Sequence, residues 1–213
     1  MQLSNWLFFC SVSLLVTFTP GPAVLMAITN AITVGLRRAA ICSLGNAFGL
    51  LLVSTAAMAG MGLVLRTSAT AFTAIKLAGA GYLIYLGIRQ WRNGTNFAAT
   101  ATEEQPTLQT YSARRLFGQG LTMALTNPKA ILFFSALFPQ FLVPTAPVGE
   151  QFCVLTLTFA ACALFSHLVY ILLAQTIRKQ LQHTTRAKLF NKVTGSIFLL
   201  LGVSLLRLPH KAA

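Results

Sequence analysis

The stretch FTPGPAVLM, residues 18–26, sets two prolines around one glycine inside a run that is otherwise apolar from Trp6 to Ala31. A proline within a helix removes one backbone donor and clashes with the carbonyl four residues back, so Pro20 and Pro22 together unwind about one turn. In hydrocarbon an opened turn persists only where its freed backbone groups line a polar cavity or are met by neighbouring helices. Thr19, Pro20, Gly21 and Pro22 are therefore candidate binding residues. Pro22 suits the first turn of a helix, where the missing donor is unpaired anyway. A half-helix starting there points free N–H groups into the break, an end that attracts anions. The competing reading is a proline kink absorbed by packing.

The rest of the chain carries this break across a membrane. Of 213 residues, 55% are hydrophobic and only 9% charged, more apolar surface than a soluble domain hides in one core. Apolar runs fall at 6–28, 39–65, 69–88, 116–138, 150–174 and 193–208, each near the twenty residues of a helical span, so about six transmembrane helices are expected. Sixteen Lys and Arg face three acids, a net charge of +13 that in a soluble protein points to nucleic acid. Here position accounts for it, and no nucleic-acid partner is expected. Arg37, Arg38, Arg89, Arg92, Arg114, Arg115, Arg178, Lys179, Arg186, Lys188 and Lys192 fall on one side, against Arg66, Lys76, Arg207 and Lys211 on the other. Eleven against four makes the first side cytoplasmic and puts both termini outside, the amino terminus moving inside if the first segment is re-entrant. That segment lacks a basic flank and a small-residue cleavage site, so it reads as retained and not as a signal peptide. Cys10, Cys42, Cys153 and Cys162 show no metal-ligand spacing; they read as buried thiols, with no metal and no cofactor expected.

Residues 93–115 turn polar around Pro106 and read as a cytoplasmic linker between two units, 1–92 and 116–213. The units share motifs in the same order. FTPGPAVLM at 18–26 aligns with LTNPKAILF at 125–133, and KLAGA at 76–80 with KVTGS at 192–196. Three spans per unit is an odd number, so the second unit enters the membrane from the opposite side. The expected fold is an all-α polytopic membrane protein of two inverted three-helix repeats, each with a broken first helix. At the helical rise Lys129 lies about 21 Å from Arg115 and about 15 Å from Pro139, which puts the second break at mid-membrane.

That second break, Thr126-Asn127-Pro128-Lys129, has a good N-cap in Asn127 and a proline at the first helical position. Lys129 then follows with the wrong sign for a helix N-terminus and out of reach of bulk water, so an anion is expected beside it. The alternatives are that Lys129 bonds loop carbonyls, or that it carries a proton itself. On the anion reading Lys129→Met costs ligand affinity and little stability. The only acids are Glu103, Glu104 and Glu150, all in or beside loops. A proton relay on intramembrane carboxylates is thus absent, leaving His167, with Tyr170 on the same helix face, as a proton-coupling candidate beside Lys129. A neutral, structural His167 is the plain alternative. Gly45 and Gly49 have the small-xxx-small spacing of close helix contacts, and Asn46 beside them bonds across the contact or faces the cavity. Gly79 and Gly195, in the paired third spans, are also expected at helix contacts, and Lys76 and Lys192 snorkel or cap. With no aspartate and no mid-span glutamate, triad or dyad hydrolysis has no support, and the chain reads as a non-enzyme.

TPGPAVL, KLAGAGYLIYLGIRQWR at 76–92, LTNPKAILFFSALFPQF at 125–141 and NKVTGSIFLLLG at 191–202 together resemble the LysE/RhtB family of amino-acid exporters over nearly the whole chain. The resemblance implies a multi-pass bacterial inner-membrane exporter of an amino-acid substrate, driven by exchange with protons, with a homo-oligomer left open. Many members that resemble this chain carry an acid in the fifth span, where this sequence has His167. A lysine-like cargo needs an anionic pocket, so neutral cargo of the homoserine, threonine or leucine kind is expected. The alternatives are a cation or other small metabolite, or a non-transporting assembly subunit.

The charge distribution makes one direct prediction. In a cysteine-free background, a cysteine at Thr102 should resist a membrane-impermeant maleimide in intact cells and react after permeabilisation. Labelling in intact cells reverses the orientation.

Overall fold

The computed structural model describes residues 2–67, 111–143, 146–176 and 184–207, together with positions 73, 77, 80, 81, 83–85, 87–89, 91 and 92. Gly79, Lys76, Glu103, Glu104 and most of the 93–115 linker lie outside the described residues. The described elements are α1 (Leu3–Phe18), α2 (Pro22–Thr33), α3 (Leu36–Thr67), α4 (Ala113–Thr126), α5 (Pro128–Leu132), α6 (Val148–Leu172) and α7 (Thr184–Arg207). The described positions between 73 and 92 are also helical, and no strand occurs among the described residues. α5 runs on through a π-helical turn, Phe133–Leu137, into a 3₁₀ turn, Phe138–Phe141.

Both breaks fall at the proline motifs. α1 ends at Phe18, Gly21 stands in extended conformation as N-cap, and Pro22 opens α2 with its axis turned by 58°. In the second half the side chain of Asn127 accepts from Lys129 N at 3.1 Å, Pro128 takes the first helical position, and the bend is 49°. α2 leads into α3 through Gly35, whose φ of 87° is open to glycine and closed to most other residues. Leu36–Gly60 and Val148–Leu172 are each long and apolar enough to cross a membrane, and each bent pair adds one span if it crosses as a unit. The described residues therefore give two to four candidate spans, where six were expected from the apolar runs. α7 is helical without meeting the test, and the 69–88 run lies largely outside the described residues. Large apolar side chains such as Phe8, Leu157 and Leu200 are more than half exposed, the outward face expected of helices set in lipid.

Packing follows small residues. α4 lies along α3 so closely that a Cβ at Gly45 would strike the carbonyl of Phe117, and one at Gly120 the carbonyl of Cys42. At Gly49 it would meet Ala124 Cβ at 2.6 Å. α1 and α2 lie along α6, and α3 meets α6 as well. The helical positions around 80–92 cross α7, where a Cβ at Gly195 would meet Gly87 O at 2.7 Å and Trp91 donates to Lys192 O at 2.7 Å. At one end of α1, Trp6 donates to Thr158 at 3.0 Å, and Phe9 sits edge-on to Phe138 and Phe141 within a cluster that includes Phe133, Phe134 and Phe159.

The α3–α4 crossing makes a paired prediction. Gly120→Ala forces a methyl into a backbone carbonyl and should cost about 1–3 kcal/mol by overpacking. Gly118→Ala, two residues away with open space around it, should be neutral or gain up to about 1 kcal/mol in helix propensity. Thermal melts of the two variants in the same detergent should separate; equal melting temperatures would refute the close crossing.

Candidate binding site at the two helix breaks

An α-helix leaves its last four carbonyls without intrahelical donors. In α1 these belong to Leu15, Val16, Thr17 and Phe18, and every one is met. Leu15 O takes the N–H of Thr19 at 3.0 Å and also its hydroxyl. Val16 O accepts from Lys129 Nζ at 3.0 Å, Thr17 O from Ser166 Oγ at 2.9 Å, and Phe18 O from Tyr170 Oη at 2.6 Å. Lys129 Nζ also donates to Thr19 O at 2.8 Å. Ser166 and Tyr170 are four apart on α6 and so share one face. The ammonium of Lys129 lies against Gly21, where an added Cβ would stand 3.4 Å from Nζ.

This geometry answers the sign problem at Lys129. The residue sits in the first turn of α5, where a cation is unfavourable, but its charged end reaches the carbonyl end of α1, where a cation is favourable. Of the alternatives open in the sequence, bonding to loop carbonyls is the arrangement present. The anion reading expects Lys129→Met to cost little stability or even to gain some; these contacts argue for a larger cost, since the substitution strips donors from two carbonyls.

Beside this junction lies a small cavity, about 30 Å³ of room for the centres of water-sized molecules, lined by both first turns and by α3 and α6. Ala23 and Val24 come from α2, Asn127, Lys129 and Ala130 from the second break, Asn46 from α3, and Phe159, Ala163 and His167 from α6. Ala23 and Val24 occupy the second and third positions of α2, whose N–H groups have no partner within the helix. In α5 the N–H of Lys129 is capped by Asn127 and that of Ala130 is the next in line. His167 is 4% exposed, with Nδ1 at 3.1 Å from Ser43 Oγ. The Ser43 hydroxyl also lies 3.2 Å from Ala39 O, and the tautomer of the ring sets whether Ser43 accepts from Nδ1–H or donates to a bare Nδ1. Asn46 is 3% exposed and its Oδ1 has no hydrogen-bond partner among the described residues.

The remaining sequence candidates divide. Thr19 contributes its backbone carbonyl, its hydroxyl turning back on Leu15, and Pro20 is buried beside it. Pro22, Thr126 and Pro128 are exposed, and the hydroxyl of Thr126 bonds Thr122 O at 2.8 Å in its own helix. None of these three lines the cavity; they shape the breaks. Gly45, Gly49 and Gly195 stand at helix crossings. Sequence reasoning missed Ser43, Ser166 and the pair Asn30–Gln119, joined at 3.3 Å between α2 and α4. The available signal was a polar side chain inside an apolar run. Among the described residues no group of three or more His, Cys, Asp or Glu could hold a metal ion.

Two broken helices that meet over a half-buried cation inside an all-helical membrane protein are the framework of a membrane transporter. Residues 14–208 match the LysE type translocator family, and the chain belongs to that family. It is 36% identical over 210 residues to the homoserine/homoserine lactone efflux protein of Salmonella typhi, covering 99% of this chain and 100% of that one. It is 29% identical over 200 residues to the leucine efflux protein of Salmonella choleraesuis, covering 92% and 91%. An uncharacterized membrane protein of Vibrio cholerae is 33% identical over 208 residues, covering 96% and 98%. No solved structure matches the chain. The protein is a multi-pass protein of the bacterial inner membrane and a translocator by family.

The carbonyl bonds rank three substitutions. Tyr170→Phe and Ser166→Ala each leave one buried carbonyl unpaired and should cost about 1–3 kcal/mol, whereas Lys129→Met removes two charge-assisted bonds and should cost more than either. Melting temperatures of the purified variants check the order; a Lys129→Met protein as stable as the parent would refute the capping role.

Proposed function

We propose that the cavity between the breaks is the substrate site of an exporter of neutral amino acids of the homoserine or leucine type, working by alternating access with protons as the counter-ion. The observation that carries this reading is that first turns from both halves open on one cavity, with Lys129 of one half bonded across to the break of the other. The relatives' names supply the cargo class: homoserine and its lactone in one, leucine in the other. Among the described residues no acid lines the cavity, so a cationic side chain finds no counter-charge from them.

The inverted repeat belongs to the same proposal. In the packing, the broken helix of each half lies along the second helix of the other: α1 and α2 on α6, α4 on α3. The second helices meet each other, and the third helices cross at Gly87 and Gly195. An approximate two-fold axis through the cavity accounts for this exchange of partners.

In this scheme the N–H groups of Ala23 and Val24 and the third donor of Lys129 take the substrate carboxylate. A water needs roughly 10–15 Å³ of such room, so the cavity of about 30 Å³ holds two or three waters and an amino acid enters only as the halves part. A carboxylate arriving at Lys129 competes with the carbonyls of Val16 and Thr19, which loosens the tie between the halves as the ligand binds. Histidine is the side chain that changes charge near neutral pH, and a second proton on the His167 ring places another cation on the cavity wall with Lys129. Bilayer lipid and protons are the remaining partners; a homo-oligomer is not required.

Purified protein in liposomes tests the reading. Labelled homoserine or leucine should show counterflow, and an imposed pH gradient should drive its efflux. His167→Ala should lose at least about tenfold of the gradient-driven rate while keeping exchange of substrate for substrate. Unchanged gradient-driven efflux returns His167 to a structural role. Replacing Pro20 and Pro22 by alanine together should raise the melting temperature and abolish both activities, because the healed helix withdraws the N–H groups of Ala23 and Val24.

A further inference from the structure

Four buried side-chain atoms lack a hydrogen-bond partner among the described residues: Ser13 Oγ, Asn46 Oδ1, Gln140 Nε2 and Thr156 Oγ1. Of their residues, Asn46 is the one that lines the cavity between the breaks. Buried amide oxygens are nearly always paired, and one left open beside a cavity marks a place for a donor. Asn46 cannot swing away with its backbone. α3 is pressed onto α4 at this level, where a Cβ on Gly120 would come within 2.8 Å of Asn46 N. The neighbouring polar groups also have set roles, with Ser43 engaged by His167 and Ala39, and Thr17 Oγ1 donating to Leu14 O at 3.2 Å.

The cavity therefore has two chemically distinct sides. One carries donors, namely the first-turn N–H groups of α2 and the ammonium of Lys129. The other carries the amide of Asn46 on α3, whose oxygen is buried without a partner among the described residues, so that turning the amide presents an acceptor to the cavity. An α-amino acid is the small ligand that matches both, with a carboxylate needing donors and an ammonium needing acceptors. We infer that Asn46 Oδ1 is the receptor for the substrate's α-ammonium group and sets the requirement for an amino group; this rests on the cavity being the substrate site. A neutral amide does this without the desolvation cost of a buried carboxylate, and it fits a chain with no acid on the cavity wall. A ligand without a donor at its α-carbon leaves Oδ1 unpaired and is rejected for that reason.

The test uses liposomes loaded with labelled L-leucine or labelled L-homoserine, whichever gives counterflow, and two competitors. One is the deaminated acid, 4-methylpentanoate or 4-hydroxybutanoate. The other is the amide, L-leucinamide or L-homoserine amide, which keeps the ammonium and lacks the carboxylate. For the parent protein the deaminated acid should compete at least about a hundredfold more weakly than the amino acid. Asn46→Leu should narrow that gap to about tenfold or less, whereas Asn46→Asp, which keeps an oxygen in place and adds charge, should preserve it and bind the amide about tenfold better than the parent does. If the parent accepts the deaminated acid as readily as the amino acid, the inference falls while the transport function stands. It falls equally if a folded Asn46→Leu keeps the full gap or Asn46→Asp gains nothing for the amide. Should Asn46→Leu fail to fold, the amide gain of Asn46→Asp decides alone. Absence of counterflow for any amino acid in the parent protein would instead remove the substrate site itself.

Discussion

A helix broken in hydrocarbon has to hand its orphaned carbonyls to someone. In this protein the recipients are three side chains, Lys129, Ser166 and Tyr170, which close on Val16, Thr17, Phe18 and Thr19 from the other half of the sequence. Unpaired carbonyls there cost about 1–3 kcal/mol each, so the break and its partners stand or fall as a unit. The tie to Lys129 also cancels an electrostatic conflict. A cation at the start of one half-helix is stabilised by the end of another, and the two dipoles are satisfied by one ammonium.

The close crossings of small residues do the positioning. Gly45, Gly49 and Gly120 let α3 and α4 approach to backbone contact, which sets Asn46 and Ser43 at the height of the breaks and so places His167 through Ser43. On the far side of the cavity the chain after α5 widens into a π turn among stacked phenylalanines, Phe133 lying 4.2 Å from Phe159 between ring centres. Such turns interrupt the regular ladder and concentrate at working parts of helices. Of these rings, Phe159 also lines the cavity.

Much of this was legible from the sequence because the signals are local. Proline chemistry located both breaks, and the Asn-Pro pair located the cap of α5. What stayed hidden were pairings. Lys129 finds its acceptors 113 and 110 residues away, and Tyr170 finds Phe18 across 152, distances over which periodicity says nothing about who meets whom. Sequence alone also reads a proline motif as a block, whereas a helix start divides it. Ala23 and Val24 face the cavity while Pro22 faces out, and Asn127 is buried while Thr126 and Pro128 are exposed. Gly120 went unread although Ala124 stands four residues on, since the spacing gains meaning only when the partner helix is known.

The order of synthesis turns the Lys129 tie into a problem of biogenesis. The first break leaves the ribosome with three of its carbonyl partners, Lys129, Ser166 and Tyr170, still untranslated. Until they arrive, the stretch from Val16 to Thr19 is poorly suited to lipid and is best accommodated in water, at the bilayer surface or within the insertion machinery. Final seating of the first helix is therefore a late event that waits for α6, and a truncated first half alone would present unmet carbonyls to the membrane. Quality control that senses such exposed backbone would recognise an incomplete chain by its oldest segment, long after that segment was made.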